Sequence, residues 1–174
     1  MADQSILDLT ATTTLALTDL IYVAYNVATV PVDRKMTVAN FLAYVTNEIG
    51  TRYFQLRPFW ITEDVATGDN AINIHIPPEF NGWNLTYIHA KVDTAGTTNT
   101  TDIQIHNVTD NVDVLSTKLT IDSGETGSDT AATAAVIDTT KDDAATNDVW
   151  RVDVDAISTT APKGLVVTLG FTPA

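Results

Sequence analysis

The feature that most restricts the fold is the stretch 147–157, where Trp150, Val152, Val154 and Ala156 alternate with Arg151, Asp153 and Asp155. A side-chain period of two puts the first set on one face of a strand and the second on the other. The stretch therefore predicts a half-buried strand with one face in the core and one in water. Ser158 to Gly164 follows with turn chemistry, since Pro162 fixes its own backbone angle and Gly164 is free to take a positive one. Leu165 to Phe171, rich in β-branched residues, then predicts a second strand, so that the chain closes on two long antiparallel strands.

Runs of the same kind recur upstream, at Tyr53–Ile61, Ala71–Ile76, Trp83–Asp93, Thr101–Val108, Val112–Ile121 and Thr133–Ile137. Turn-rich segments separate them, among them Thr67-Gly68-Asp69-Asn70, Pro77 to Gly82, Ser123 to Asp129 and Thr139 to Thr146. About eight strands at this spacing predict a mainly β domain over residues 53–174, an antiparallel β-sandwich of the jelly-roll kind. Ahead of it, residues 1–52 read as a small attachment module. Met1 to Thr18 has no clean period and reads as an extended arm, Leu20 to Tyr25 as a strand, and Val27 to Arg34 as a turn or loop. Thr37 then caps a helix whose apolar residues Val38, Phe41, Leu42, Val45 and Ile49 fall at helical spacing, with Gly50 at its stop.

Composition excludes several classes. The chain has no cysteine, so neither a disulfide framework nor a thiolate metal site is available to it. Its formal net charge is −13, unevenly placed: residues 1–60 hold five acids and four bases, and residues 61–174 hold 17 acids and five bases. A surface this acidic repels nucleic acid and anionic membranes, so neither is an expected partner. The first ten residues carry Asp3 and Asp8 and no positive cluster, and no apolar run approaches the roughly 20 residues of a membrane helix. A soluble product of the cytoplasm is expected.

Several ordered blocks carry a resemblance. Leu115 to Glu125, Ala135 to Asp138, Asp148 to Asp155 and Pro162 to Val167 together resemble a β-domain of tailed-phage virion structural proteins, over roughly Phe59 to the end. The segment Asp19 to Phe41 is similar to short N-terminal segments of phage structural proteins. The resemblance implies a virion component: a head decoration protein or head fibre, with a tail-associated receptor- or glycan-binding protein as the alternative. It also implies a major capsid protein or other virion protein as partner, and association with itself, most readily as a trimer.

The candidate chemistry is sparse. His75, His89 and His106 all fall inside predicted strands, and a zinc site requires them to converge in space. Asp153 and Asp155, with Asp142, Asp143 and Asp148 upstream, are the carboxylates a calcium site needs, but no Asp-x-Asp-x-Asp-Gly loop accompanies them. Trp150 belongs to the apolar face, which leaves Trp83, beside the Asn81-Gly82 turn, as the surface aromatic for a glycan contact, with Trp60 the third tryptophan. No Gly-x-Ser-x-Gly, cysteine nucleophile or phosphate loop is present, so a non-enzyme without cofactor or metal is expected. Attachment to a particle is expected from the near-neutral N-terminal part: Ile6, Leu7, Leu9, Leu15 and Leu17 of the arm, with Arg34, Lys35, Arg52 and Arg57.

Overall fold

The computed structural model describes residues 20–25 and 32–174. The chain divides into two compact units, Met1–Ile49 and Gly50–Ala174. In the first, β1 (Leu20–Tyr25) and β2 (Val32–Thr37) pair antiparallel from Leu20↔Thr37 to Tyr25↔Val32, and α1 (Val38–Ile49) follows directly. The Thr37 hydroxyl accepts the Asn40 N–H at 3.1 Å, as the cap at its head requires, and Gly50 takes a φ of +66° just past its end. Val32 to Arg34, expected in the loop, is strand. An isolated β1 would leave its backbone donors and acceptors unpaired, and that requirement outweighs the turn signals of Pro31 and Asp33.

The second unit runs β3 (Arg52–Leu56), β4 (Gly68–His75), β5 (Trp83–Thr94), β6 (Thr101–Asn107), β7 (Val112–Asp113), β8 (Leu115–Thr117), β9 (Leu119–Ile121), β10 (Val136–Ile137), β11 (Asp143–Ala144), β12 (Val149–Ala156) and β13 (Lys163–Pro173). They form a four-stranded sheet in the order β11-β5-β13-β3 and a five-stranded sheet β4-β12-β6-β7 with β9 also on β6; β8 and β10 pair apart. Every pairing is antiparallel, and the unit is a β-sandwich.

The two closing strands do form, and Trp150, Val152 and Val154 are buried as their alternation requires. They do not pair with each other: β12 lies in the five-stranded sheet and β13 in the four-stranded one. The connection is tied down where the chain changes sheets. Ser158 is buried, its hydroxyl donates to the Asn99 carbonyl at 3.1 Å, and its N–H reaches the Thr101 hydroxyl at 3.3 Å. Across the gap between sheets, the rings of Trp150 and Phe171 stand 5.4 Å apart, and Phe171 also meets Phe54 and Phe80. Burying side chains of this size contributes on the order of 2–3 kcal/mol each, which makes this aromatic group a main source of cohesion.

Three segments depart from expectation. Tyr53–Ile61 ends at Leu56, because Pro58 cannot donate to a ladder and the chain turns, with the Glu63 N–H on the Trp60 carbonyl at 2.8 Å. Asp143–Ala144, expected in a turn, pairs with Asn84 and Trp83. Val112–Ile121 breaks into β7, β8 and β9, and the side chain of Gln104 fills the break. Its Nε2 donates to the Leu115 carbonyl at 3.0 Å, while its Oε1 accepts the N–H groups of Leu115 at 3.2 Å and Ile105 at 2.9 Å. A side-chain amide thus takes the place of a missing peptide in the ladder.

One face of β12 is less wet than its pattern predicts. Asp153 is only 4% exposed. The β4–β12 register shifts between Val152 and Val154, and Asn70, at a φ of +61° in the extra length, turns its N–H onto Asp153 Oδ1 at 2.7 Å. Arg151 pairs with the same carboxylate at 2.9 Å and reaches Asp69 at 3.3 Å. Asp153 is therefore a buried, fully partnered anion, as burial of a charge demands.

Candidate functional site

Polar chemistry collects on the solvent face of the four-stranded sheet, and register decides which residues meet there. β13 lies between β3 and β5 so that Gly170 stands between Tyr53 and Tyr87, Thr168 between Gln55 and His89, and Val166 beside Lys91. The central strand supplies small side chains and the flanking strands long ones, which makes a trough along β13. The trough is crossed at one end by the Tyr53 and Tyr87 rings, edge to face at 5.6 Å, and at the other by the Arg57–Asp93 ion pair at 2.7 Å. Gly170 makes the first crossing possible, since a Cβ there would stand 2.8 Å from Tyr53 Cε1 and 2.9 Å from Tyr87 Cβ. Gly164, at a φ of +69°, does the same for the second, because a Cβ would drive into the Asp93 carboxylate.

Between the crossings lies a recess of about 280 Å³, walled by Gln55 and Arg57 on one side and His89, Lys91 and Asp93 on the other. A second recess of about 520 Å³ shares His89 and Lys91 and is bounded beyond them by the loop 124–130. That loop is in place because β5 is paired with β11 only at Trp83 and Asn84, which leaves the rest of that edge to be satisfied otherwise. The Val92 N–H takes the Thr126 carbonyl at 2.9 Å, and the Ala90 N–H takes the Ser128 hydroxyl at 3.0 Å. His89 Nε2 meets Asp129 Oδ1 at 3.3 Å, and the Thr130 hydroxyl donates to Glu125. The contact with His89, helped by its own backbone N–H, holds the Asp129 carboxyl below the usual carboxylate range.

The residues expected to carry chemistry are dispersed. His75 is exposed at the end of β4, His106 meets Asp113 at 2.7 Å on the five-stranded sheet, and His89 lies on the other sheet. The candidate calcium carboxylates serve separate networks. Asp148 accepts the Ala145 N–H at 3.0 Å and an Asn107 N–H at 3.3 Å, Asp153 is occupied as above, and Asp155 pairs with Lys118 at 2.8 Å. Asp142 is buried, which pushes its pKa up, and Asp143 is exposed on β11. Among the described residues no group of three or more metal-type ligands converges.

Trp83 is half-buried, its ring 4.8 Å from Phe80 and capped by the Arg52 guanidinium at 5.5 Å. The exposed tryptophan is instead Trp60, at 71%, because the early end of β3 puts it in a turn. Of the expected attachment residues, Ile6, Leu7, Leu9, Leu15 and Leu17 lie outside the described residues. Arg34 and Lys35 stand in β2, Arg52 covers Trp83, and Arg57 is paired with Asp93. The trough was not anticipated. Its one sequence signal was the alternation of small residues at positions 164, 166, 168 and 170, which names a floor but not its walls.

No protein-family model matches the chain, and neither the curated proteins nor the solved structures contain a significant match to it.

Proposed function

We propose that the protein is a structural component of a tailed-phage virion, a capsid decoration protein or head fibre that is fastened through its N-terminal unit and displays its β-sandwich outward. The supporting observation is a division of labour between the two units. Most of the acid lies in residues 50–174, whereas among the described residues of the N-terminal unit the helix exposes Phe41 at 41% and Leu42 at 46%. A hairpin with one helix buries too little to be stable on its own, so apolar residues left in water there suit a partner surface. In this reading the protein associates with itself as a trimer and with a major capsid protein or another virion protein, resides in the virion, and performs no catalysis.

The strand order supports a finer reading of the fold. With β7 and β9 taken as one broken strand, the eight main strands from β3 to β13 lie in the orders 1-8-3-6 and 2-7-4-5. We read that order as a jelly-roll winding, an architecture used by viral capsid proteins and by lectins. The fold alone does not choose between them. The open trough favours the second reading, a tail-associated receptor- or glycan-binding protein.

The test is to remove residues 1–49, verify by circular dichroism that the remainder keeps its β structure, and offer both forms to particles that lack the protein. The full chain is expected to bind in hundreds of copies per particle and the truncated one not at all. Normal occupancy by the truncated form would place attachment on the sandwich, and a stoichiometry of a few copies would favour the tail reading. Light scattering should show a trimer at micromolar concentration, and a folded monomer would count against self-association.

A further inference from the structure

We propose that the two recesses flanking His89 and Lys91 form a binding site for a carboxylate-bearing saccharide, one sugar unit to each recess. The inference rests on the glycan-binding reading of the trough and does not depend on how the protein is fastened.

The first argument is charge. In a chain with 22 acids and nine bases, the smaller recess gathers Arg57, Lys91 and His89 around a single acid, Asp93. Asp93 is already neutralised by Arg57, and Lys91 forms no ion pair among the described residues. With the Asp129 and Glu125 carboxylates confined to the adjoining recess, this unpaired ammonium marks the smaller recess as the place for a single negative charge. A phosphate dianion fits less well, because Asp129 and Glu125 line the adjoining recess and would repel the second charge. Nucleic acid is excluded more strongly, since its binding requires several bases along a track.

The second argument is the mixture of donors and acceptors. Gln55 and Thr168 in one recess and Thr126 and Thr130 in the other offer neutral groups able both to give and to accept hydrogen bonds. A ligand rich in hydroxyl groups satisfies such a lining, whereas an apolar ligand would strand it unpaired. The third argument is shape. A recess of about 280 Å³ lies at the small end of the range for ligand pockets, roughly 300–1,000 Å³, which suits one ring rather than an extended peptide. Next to His89 on the same face of β5, beyond the lining of the recess, stands Tyr87, 43% exposed, against which the C–H face of a sugar can lie. The walls are preformed, since they rise from paired strands and from a loop bonded to β5, so binding orders little.

The test uses the full purified chain on an array of saccharides that carry uronic or sialic acids, their methyl esters, and phosphorylated saccharides. The strongest carboxylated binder is then titrated by calorimetry and by amide NMR. We expect amide shifts centred on Tyr87–Lys91, 124–130 and Thr168, and binding roughly tenfold weaker for the methyl ester, in line with loss of one charge-assisted hydrogen bond. Lys91→Ala should weaken binding by a similar factor and Tyr87→Ala severalfold. Lys118→Ala, on the other sheet, should change nothing. Both altered side chains project into solvent, so the variants should fold as the parent does, and their thermal unfolding is checked. The proposal is overturned if no carboxylated saccharide on the array binds, if ester or phosphorylated forms bind as well as the acids, if Lys91→Ala binds normally, or if the shifts map to the five-stranded sheet.

Discussion

The two sheets of the sandwich treat their outer faces in opposite ways. On the five-stranded sheet the polar side chains answer one another: His106 meets Asp113, Arg151 bridges Asp153 and Asp69, Lys118 pairs with Asp155, and Gln104 is spent on the backbone of Leu115. On the four-stranded sheet, small residues along β13 leave a floor that the long side chains of β3 and β5 wall but do not fill. Identical strand geometry has produced one face that completes itself and one that stays open. The difference is a matter of which strand is central. β12 carries Arg151, Asp153 and Asp155 outward, whereas β13 carries Gly164, Val166, Thr168 and Gly170. Polarity alone therefore does not mark a ligand surface, since the closed face is as polar as the open one.

If the closed face is structural, its substitutions should cost stability, and the largest cost should fall on Gln104. Gln104→Leu keeps the apolar bulk but strands the Leu115 carbonyl and the N–H groups of Leu115 and Ile105. A loss of roughly 3 kcal/mol in urea unfolding is expected, the sum of a few unsatisfied buried groups partly relieved by water. A loss below about 1 kcal/mol would mean that β7 to β9 closes on β6 without the amide. Asp153→Ala should follow at roughly 2 kcal/mol, because the Asn70 N–H loses its acceptor while Arg151 keeps Asp69. The double variant with Asp69→Ala should cost clearly more than either change alone, and simple additivity would show that the three groups are not one network.

The contrast between faces explains what could be read in advance. Alternation in Trp150–Ala156 and the cap at Thr37 are local, and both hold in the structure. Asp153 defeated the pattern because its burial comes from Asn70, 83 residues away, through a register shift that no local period encodes. Gln104 reads from its alternating strand as an ordinary outward residue, and only the break beside it lets its amide bond the Leu115 backbone and become buried. Assigning β12 and β13 to different sheets likewise depended on Thr101 and Asn99 holding Ser158, a contact nearly 60 residues long. The trough is of the same kind: Tyr53, Tyr87 and Gly170 are far apart in sequence, and only the sheet order brings them together. Its place beside the Asn81-Gly82 turn pointed to Trp83 for a surface role, but a neighbouring turn does not say which ring finds a pocket of its own.

On the open face, substitutions should disturb shape more than stability. Gly170→Ala brings a methyl group against the exposed Tyr53 ring, which can swing away, and against the Thr51 methyl and the Tyr87 Cβ, which the backbone must ease apart. We expect roughly 1 kcal/mol of destabilisation and loss of the near-ultraviolet signal from the paired rings. A cost of 3 kcal/mol or more would show that the crossing is a structural staple, and the contrast between the two faces would weaken.

The smallest effect expected is a difference in titration between two carboxylates on either side of the sandwich. The N–H of Asp138 lies on the Val114 carbonyl, beside the five-stranded sheet, and the Asp142 carbonyl takes the Leu85 N–H of the four-stranded one, each at 2.8 Å. Asp138 is held at about 2, from an ordinary 3.8, chiefly by the Thr140 hydroxyl and N–H and then by Lys141. Its folded value is depressed, so its contribution to stability is present above the ordinary value and is lost as pH falls through about 2. Asp142 is shifted upward by burial, so the sign reverses: its contribution favours the fold in acid and disappears as pH rises through the raised value. Asp138→Asn should therefore destabilise at neutral pH and lose that effect as pH falls through about 2, whereas Asp142→Asn should stabilise slightly at neutral pH and be silent in acid. Carboxyl carbon titration by NMR measures both midpoints directly. If Asp142 titrated below Asp138, burial beside the four-stranded sheet would not be the governing influence, and its charge would have to be satisfied by a donor as the charges of the closed face are.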